Sequence, residues 1–483
     1  MRSDLIQVRL ESDHFPCDDV QIHTFSGREG ISRVFSFDVG IIATRPDALD
    51  PEAMRGVDAT LVFEVGDEEV RRVHGMIAEI EDMLETEVET RSCRLLFVPR
   101  AYRMTLIQTQ EIYMDLSVPD IIKQKLELVG LGDGDVELRL AETYPPLEFV
   151  VQYKETDLAF ISRLTEHYGI SFFFEHADGR DKIVFTDHRN GFRPIAQPAV
   201  PFRPRGDQRD VFHIVSKTRV LPKTYMLQDY NYRTPLVDLT SSAETPSGLA
   251  GGIVEQGAHF KTLDEGKALA KIRAEELEAT HLVYSGKSDI PHFSAGARFT
   301  LQEHPRIKDG SADLLLIEVE HSVSQVVAAH GGKEGSRYTN SFRAIDAELT
   351  YRPPRVTPKP RIFGVTTGIV EQPLGSIGDE YAKIDEQGRY LVRFLFDTAP
   401  PGQRKASKPV RMAQPHAGPN YGMHFPLKPG IEVLIIFIDG DPDRPLIVGS
   451  VPNPVTPSPV VDRNATLNRI KTATGVIIEM KDQ

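Results

Sequence analysis

The chain reads as a mainly β protein with inserted α/β elements. Three observations carry this. Short runs of alternating apolar and polar residues recur from end to end, separated by Gly, Pro and Asp turns. Only a few stretches switch to a helical period. One proline-dense break, YRPPRVTPKPR at 351–361, divides a long first part from a shorter second one. At 483 residues the chain exceeds what a single core usually supports, so several domains are expected.

In order along the chain, residues 1–105 form a first β-barrel domain, with LIQVRL, VFSFDVGII, TLVFEV and SCRLLFVP as strands having one wet face. Residues 106–195 form an inserted α/β region. Its helix SVPDIIKQKLELVGL puts Ile121, Ile122, Leu126 and Val129 on one face, with Ser117 near its start. A second helix brings Leu158, Ile161, Leu164 and Tyr168 together, with Glu155, Asp157, Arg163 and Glu166 on other faces and Gly169 as its stop. The runs ISFFFEH and KIVFT about ADGRD make a hairpin.

Residues 196–352 form a second β-barrel domain with a helical insertion, LDEGKALAKIRAEELEAT, whose core positions are read as Leu263, Ile272 and Leu277. The polar segment SSAETPSGLAGG is expected to be a loop. Residues 353–360 are a Pro-rich linker. About 90 residues follow, 361–455, in which short strands alternate with Gly and Pro turns, the pattern of an OB-fold barrel. Residues 456–483 begin a new strand pattern in which Ile477, Ile478 and Met480 form an edge that needs more chain, or identical chains, to bury it.

The formal charge of −14 gives phosphate backbones no electrostatic reason to bind, so no nucleic-acid partner is expected. Lys405, Lys408 and Arg411 cluster, but without interleaved aromatics they read as a solvated loop. Cys17 and Cys93 are too few for a disulfide framework or thiolate metal site. The first residues lack the apolar core of a signal peptide, and no window offers the roughly 20 apolar residues of a stable transmembrane segment.

Two blocks carry a specific resemblance. FSGREGISRVFSFDV, with Gly27, Glu29, Ser32 and Phe35, precedes VVQYKETDLAFISRLTEHYGISFFFEH, with Gln152, Tyr153, Glu155, Asp157, Phe160, Arg163, Glu166 and Gly169. Later come IDEQGRYLVRFLFD, with Asp385, Gly388 and Arg389, and a long motif containing Gln414, Gly430, Asp441, Pro442, Asp443, Arg444 and Pro445. In this order the chain resembles the VgrG family of type VI secretion spike proteins. That resemblance implies a hub like the phage tail baseplate hub with two barrel-like domains, then the OB-fold barrel, then the neck and start of a trimeric β-helical needle.

It further implies a structural component that adapts a six-fold inner tube to a three-fold spike and helps deliver effectors through a target membrane. Implied partners are two further copies in a homotrimer, the inner tube protein, baseplate proteins, a PAAR-like tip-capping protein and secreted effectors. The implied location is the bacterial cytoplasm during assembly, followed by ejection. The alternatives are the hub of a phage tail or extracellular contractile particle and, from another class, a cell-wall glycan hydrolase. The chain departs from the family in having no Trp, with Phe396 and Tyr421 at positions where Trp is common.

No catalytic, cofactor or metal site is expected. GxSxG, HExxH and phosphate-loop patterns are absent. His167 and His176 lack ligand spacing, and Glu303/His304 and Glu320/His321 are isolated pairs. Asp157 and Glu166 share a helix rather than facing across a cleft, so capping, ion pairing or solvation accounts for them. In GDPDRP, Asp441 and Asp443 are read as acceptors for turn amides and Arg444 as their partner across the loop.

Overall fold

A computed structural model describes residues 6–43, 50–66, 68–84, 90–204, 210–324, 337–371, 381–398 and 408–481. The chain folds into two compact units. The first comprises Met1–Leu106, Ile122–Thr143 and Ile161–Thr357, and the second Ile107–Ile121, Tyr144–Phe160 and Pro358–Gln483.

The first unit is built on a 12-stranded sheet. Ile6–Glu11 forms one edge, with Ile6, Val8 and Leu10 buried and the intervening residues partly exposed, the period-2 signature of a strand with one wet face. The early strands meet the later ones where Val20–Gly30 pairs antiparallel with Ala312–Ser324, Glu29 standing opposite Val319. Without Trp, the core there relies on phenylalanines. Phe25 stacks on Phe37 with centroids 5.1 Å apart and meets Phe63 edge-on at 5.4 Å. Each ring so buried contributes about 2–3 kcal/mol.

The second unit centres on a four-stranded sheet in the order Val392–Phe394, Thr366–Val370, Glu432–Phe437, Pro445–Ser450. Its core holds Val370, Tyr390, Val392, Phe394, Val433, Ile435 and Ile447, and also Ile112 and Val151. The last two belong to the antiparallel pair Gln108–Tyr113 and Val150–Thr156. Residues 106–195, grouped by the sequence pattern as one insertion, are therefore shared between the two units. A final hairpin pairs Leu467–Lys471 with Ile477–Lys481.

The helix Val118–Leu128 buries Ile121, Ile122, Leu126 and the adjoining Val129. Ser117 opens it: its hydroxyl accepts from the Asp120 amide at 3.3 Å, and Asp120 accepts from the Ser117 amide at 3.2 Å. Three other expectations need correction. First, SSAETPSGLAGG forms strands Leu239–Glu244 and Gly248–Gln256 instead of a loop. They pair with the two edges of Leu221–Asp229, so backbone hydrogen bonding outweighs weak strand propensity. The approach is close: a Cβ on Gly248 would lie 2.5 Å from Lys223 Cα.

Second, in the helix Leu263–Glu278 the buried face carries Gly266, Leu269, Ala270, Arg273 and Ala274. Leu263 is 39% exposed, because it sits at the first turn directly after the Thr262 cap, while Ile272 and Leu277 pack only at the margin of the core. Third, the amphipathic pattern of Asp157–Tyr168 does not leave its polar faces in solvent, so of capping, ion pairing and solvation the last is the one that fails. Asp157, Arg163 and Glu166 are all buried, for reasons given below.

Candidate assembly site

Glu166 stands on the last turn of the helix Asp157–Tyr168 and is only 2% exposed. Its Oε2 accepts from the backbone amides of Val356 at 3.0 Å and Thr357 at 2.9 Å, and its Oε1 from the Thr357 hydroxyl at 2.7 Å. The carboxylate thus holds the proline strap, whose prolines cannot supply amides of their own. Two arginines spaced by three in YRPPR complete the attachment. Arg352 donates to the carbonyls of Gly169 at 3.0 Å and Asp187 at 2.7 Å and pairs with Glu275 at 2.7 Å. Arg355 pairs with Glu255 at 2.7 Å and donates to the Tyr225 hydroxyl at 2.9 Å. Burial pushes the Tyr225 phenol up to about 12, and Glu255 beside it adds to the effect.

The same helix ends at Gly169, which adopts φ 68°. Ile170 donates to the Thr165 carbonyl at 2.8 Å and Gly169 to that of Glu166 at 3.4 Å, a Schellman closure. Arg273, buried on the neighbouring helix, takes the remaining carbonyls of Glu166 at 2.9 Å and His167 at 2.5 Å. The terminal carbonyls of this helix are thereby satisfied by guanidinium donors, which suits their negative dipole end.

In the second unit, the Gln152 side-chain amide donates to the Asp157 carboxylate at 2.8 Å and to the Glu155 carbonyl at 3.3 Å. The Tyr153 amide donates to Glu155 at 3.4 Å, and the Tyr153 ring meets Phe396 edge-on at 5.2 Å. Lys359, in the part of the strap that belongs to the second unit, reaches the GDPDRP turn. Lys359 Nζ lies 2.6 Å from Asp441 and 2.7 Å from Asp443. Asp441 also accepts from the Asp443 amide at 3.0 Å, while Asp443 accepts from Val151 at 2.7 Å. Arg444 stands 3.9 Å from Asp441. Pro442 fixes the path between the two acids, and Pro445 opens the strand Pro445–Ser450 opposite Phe437.

Asp385 organises a second turn, accepting from the amides of Gln387 at 2.9 Å and Arg389 at 3.0 Å and from the Arg389 guanidinium at 2.6 Å. Burial acts to raise its pKa, but these donors prevail and hold the carboxyl below the usual range. Gly388 and Gly430 adopt φ 70° and 85° at their turns. The motif residues thus fall into separate anchor points within each unit. They do not converge on a reaction centre.

A buried polar network centres on the motif residue Glu29. Glu29 is ionised against Arg71 and accepts from Ser294 at 2.5 Å and from His321 Nε2 at 2.9 Å. Because Glu29 only accepts, His321 carries its proton on Nε2, and its Nδ1 accepts from the Tyr338 hydroxyl at 2.7 Å. Asn340 donates to that hydroxyl at 3.1 Å and to the Ile290 carbonyl at 2.8 Å. Burial acts to raise the Glu29 pKa, but Arg71 and His321 hold it far below the usual range. Burial lowers that of His321 against the opposing pull of Glu29. Glu320 and His321 therefore do not act as a pair: neighbours in a strand, they face opposite ways, Glu320 toward exposed Arg28. His176 accepts from the His74 amide at 3.1 Å, and burial next to Arg71 pushes it down to about 3. His167 packs its ring on Tyr168, and His304 on Phe202. Lys408 pairs with Asp115, whereas Lys405 lies outside the described residues.

The profile of the phage tail baseplate hub family matches residues 28–327, more than half of the chain. The chain belongs to this family. The hub match covers Glu29, Arg71, Ser294 and His321 as well as the Glu166 helix, and residues 381–451 match a second profile, the type VI secretion system/phage-baseplate injector OB domain. Among curated relatives, the hub chain is 30% identical over 476 residues to the type VI secretion system spike protein VgrG1b of Pseudomonas aeruginosa. That alignment covers 96% of this chain and 63% of the relative. Spike protein VgrG5 of the same organism is 31% identical over 450 residues, covering 89% and 55%. The hub chain therefore spans somewhat over half the length of these relatives. In fold it matches the E. coli c3393 protein, described as a type VI secretion component similar to the T4 tail proteins gp27 and gp5. The TM-score is 0.66 at 24% identity, over 92% of this chain and 100% of that one.

Sequence reasoning missed Lys359, Arg352, Arg355 and Arg273, which hold the strap and the helix end. The signal was present in part: cations at 352, 355, 359 and 361 interleave the prolines, although ion partners from distant strands and helices are invisible to spacing. Glu29 was picked out by motif, but nothing local pointed to Arg71 or His321.

Proposed function

We propose that this chain is the hub and spike-base component of a contractile type VI secretion machine, adapting the six-fold inner tube to a three-fold spike. The observation that carries the reading is the union, in one polypeptide, of a baseplate-hub fold with an injector OB domain. The motif residues fit a mechanical role: Glu166, Asp385 and the Asp441–Asp443 pair each tie a turn or strap by charge-assisted hydrogen bonds, which resist load better than apolar contact alone. Three copies, each contributing two barrel-like halves, make a ring of six. The closing hairpin leaves Ile478 and Met480 exposed at 62% and 67% on one face and Ile477 at 48% on the other, surfaces suited to identical neighbours. The chain works without bond-making chemistry, alongside the inner tube, baseplate proteins, a tip cap and secreted effectors. It assembles in the bacterial cytoplasm and is then ejected.

The test is absolute mass by light scattering across a concentration series and two salt levels, followed by electron microscopy of the particle. A mass near three times 54.0 kDa with three-fold symmetry supports the reading. A monomer that persists when the closing hairpin is fused to a trimeric β-helical segment overturns it.

A further inference from the structure

The first unit contains a cleft, with a cavity volume of about 140 Å³, that the Glu166–strap anchor borders through Glu166, Arg352, Pro354 and Val356. Its floor is apolar, formed by Ile31, Ala279, Val283 and Ile317. Its rim is cationic. Arg33, Arg219 and Arg343 line it, and the first and last of these share Glu318, at 3.6 Å and 3.2 Å, with Arg28 at 3.6 Å. Arg28 also takes Glu320. Arg219 has no carboxylate partner among the described residues, so within the cleft lining Arg33, Arg219 and Arg343 have only Glu318 between them.

The other acids of the cleft are committed elsewhere, Glu276 to Arg273 at 2.6 Å and Glu166 to the strap amides. The Tyr351 hydroxyl, between these arginines, has no hydrogen-bond partner among the described residues. Burial pushes its pKa up to about 12, so it stays a neutral donor. Ser32 in the wall holds φ 59°, a conformation a non-glycine residue keeps only when its surroundings enforce it.

The geometry points to a docking pocket for the C-terminal end of a partner polypeptide, with an apolar last side chain on the floor and its carboxylate held by Arg343, Arg219 and the Tyr351 hydroxyl. Guanidinium forks match a carboxylate bidentately, and the surplus positive charge supplies the complement. A nucleic acid or other polyanion is disfavoured by Glu276 and Glu318 in the same cleft and by the net charge of −14. A chain terminus with one carboxylate and an apolar residue meets both the floor and the rim.

The experiment titrates the full chain with the acetylated peptide Gly-Ser-Gly-Ser-Ala-Leu bearing a free C-terminus, with its C-terminal amide, with a version ending in glycine, and with inorganic phosphate. Calorimetry is the readout. The free-acid peptide binds saturably, and the amide and glycine forms bind about tenfold more weakly. The exposed-site double variant Arg219→Gln/Arg343→Gln also loses about tenfold with an unchanged melting temperature, and Tyr351→Phe, which keeps the ring, loses several-fold. Equal affinity for acid and amide, no saturable binding of the acid, or phosphate binding as tightly as the peptide each overturns the assignment.

Discussion

Gly169 illustrates how much a single backbone position decides here. At φ 68° it closes a helix, and a Cβ at this site would lie 2.7 Å from Ile272 and 2.9 Å from Arg352, so strain and overlap act together. Gly169→Ala is expected to destabilise the first unit by about 1–3 kcal/mol, read as a lower urea midpoint with unchanged slope. The buried histidines set the response to acid. His176 falls from 6.5 to about 3 on folding, and His321 is also lowered, so the unfolded chain binds more protons below pH 6.5. Glu29, also lowered from 4.5, stays ionised in the folded state and adds to the effect at lower pH. Stability is therefore full above about pH 6.5 and is lost progressively as pH falls toward 3. Urea unfolding at stepped pH checks this. His176→Asn, which keeps an acceptor for the His74 amide, should flatten the dependence between pH 6.5 and 5.

The proline strap and the GDPDRP turn behave as elements held by a few strong bonds rather than by area. Glu166→Gln keeps the side-chain length but removes the charge that three donors share, at a cost of about 1–2 kcal/mol. Amide exchange at Val356 and Thr357 should accelerate, while amides of the turn at 441–445 stay unchanged. If both regions accelerate alike, the bond to Glu166 is not what holds the strap. In the second unit, Asp443→Asn retains an acceptor for the Val151 amide but loses the charge facing Lys359, whereas Asp443→Ala loses both. The alanine variant is expected to cost about 1–3 kcal/mol and the asparagine variant less than half of that, compared by thermal unfolding of the second unit.

Assembly is a property of the molecule as a whole, and the exposed apolar residues near its end show where to test it. Ile478 and Met480 are 62% and 67% exposed on a hairpin that no other described strand pairs with. Ile478→Glu with Met480→Glu should shift the light-scattering mass of the proposed trimer toward monomer while leaving far-UV circular dichroism unchanged, because neither side chain contributes to a core within one chain. Retention of the trimer in this double variant would move the principal contact elsewhere on the chain.

Much of this architecture was legible from periodicity. Ile6, Val8 and Leu10 alternate in sequence as they do in burial, and Ile121, Ile122, Leu126 and Val129 define a helix face before any partner is known. Such patterns are local consequences of 2.0 and 3.6 residue periods, so the sequence alone establishes the alternating strands, the two amphipathic helices and the OB-like spacing, while the family resemblance rests on the motif blocks themselves. Tertiary contact settled what has no local signature. The polar run SSAETPSGLAGG became two strands because Leu221–Asp229 offered unpaired edges on both sides. Glu166 went inside because donors more than a hundred residues away met its carboxylate, and Asp157 with the Gln152 amide of a neighbouring strand donating to it. Burial of an ionised group is favourable only when its partners arrive with it, and those partners are fixed by the fold rather than by adjacent sequence.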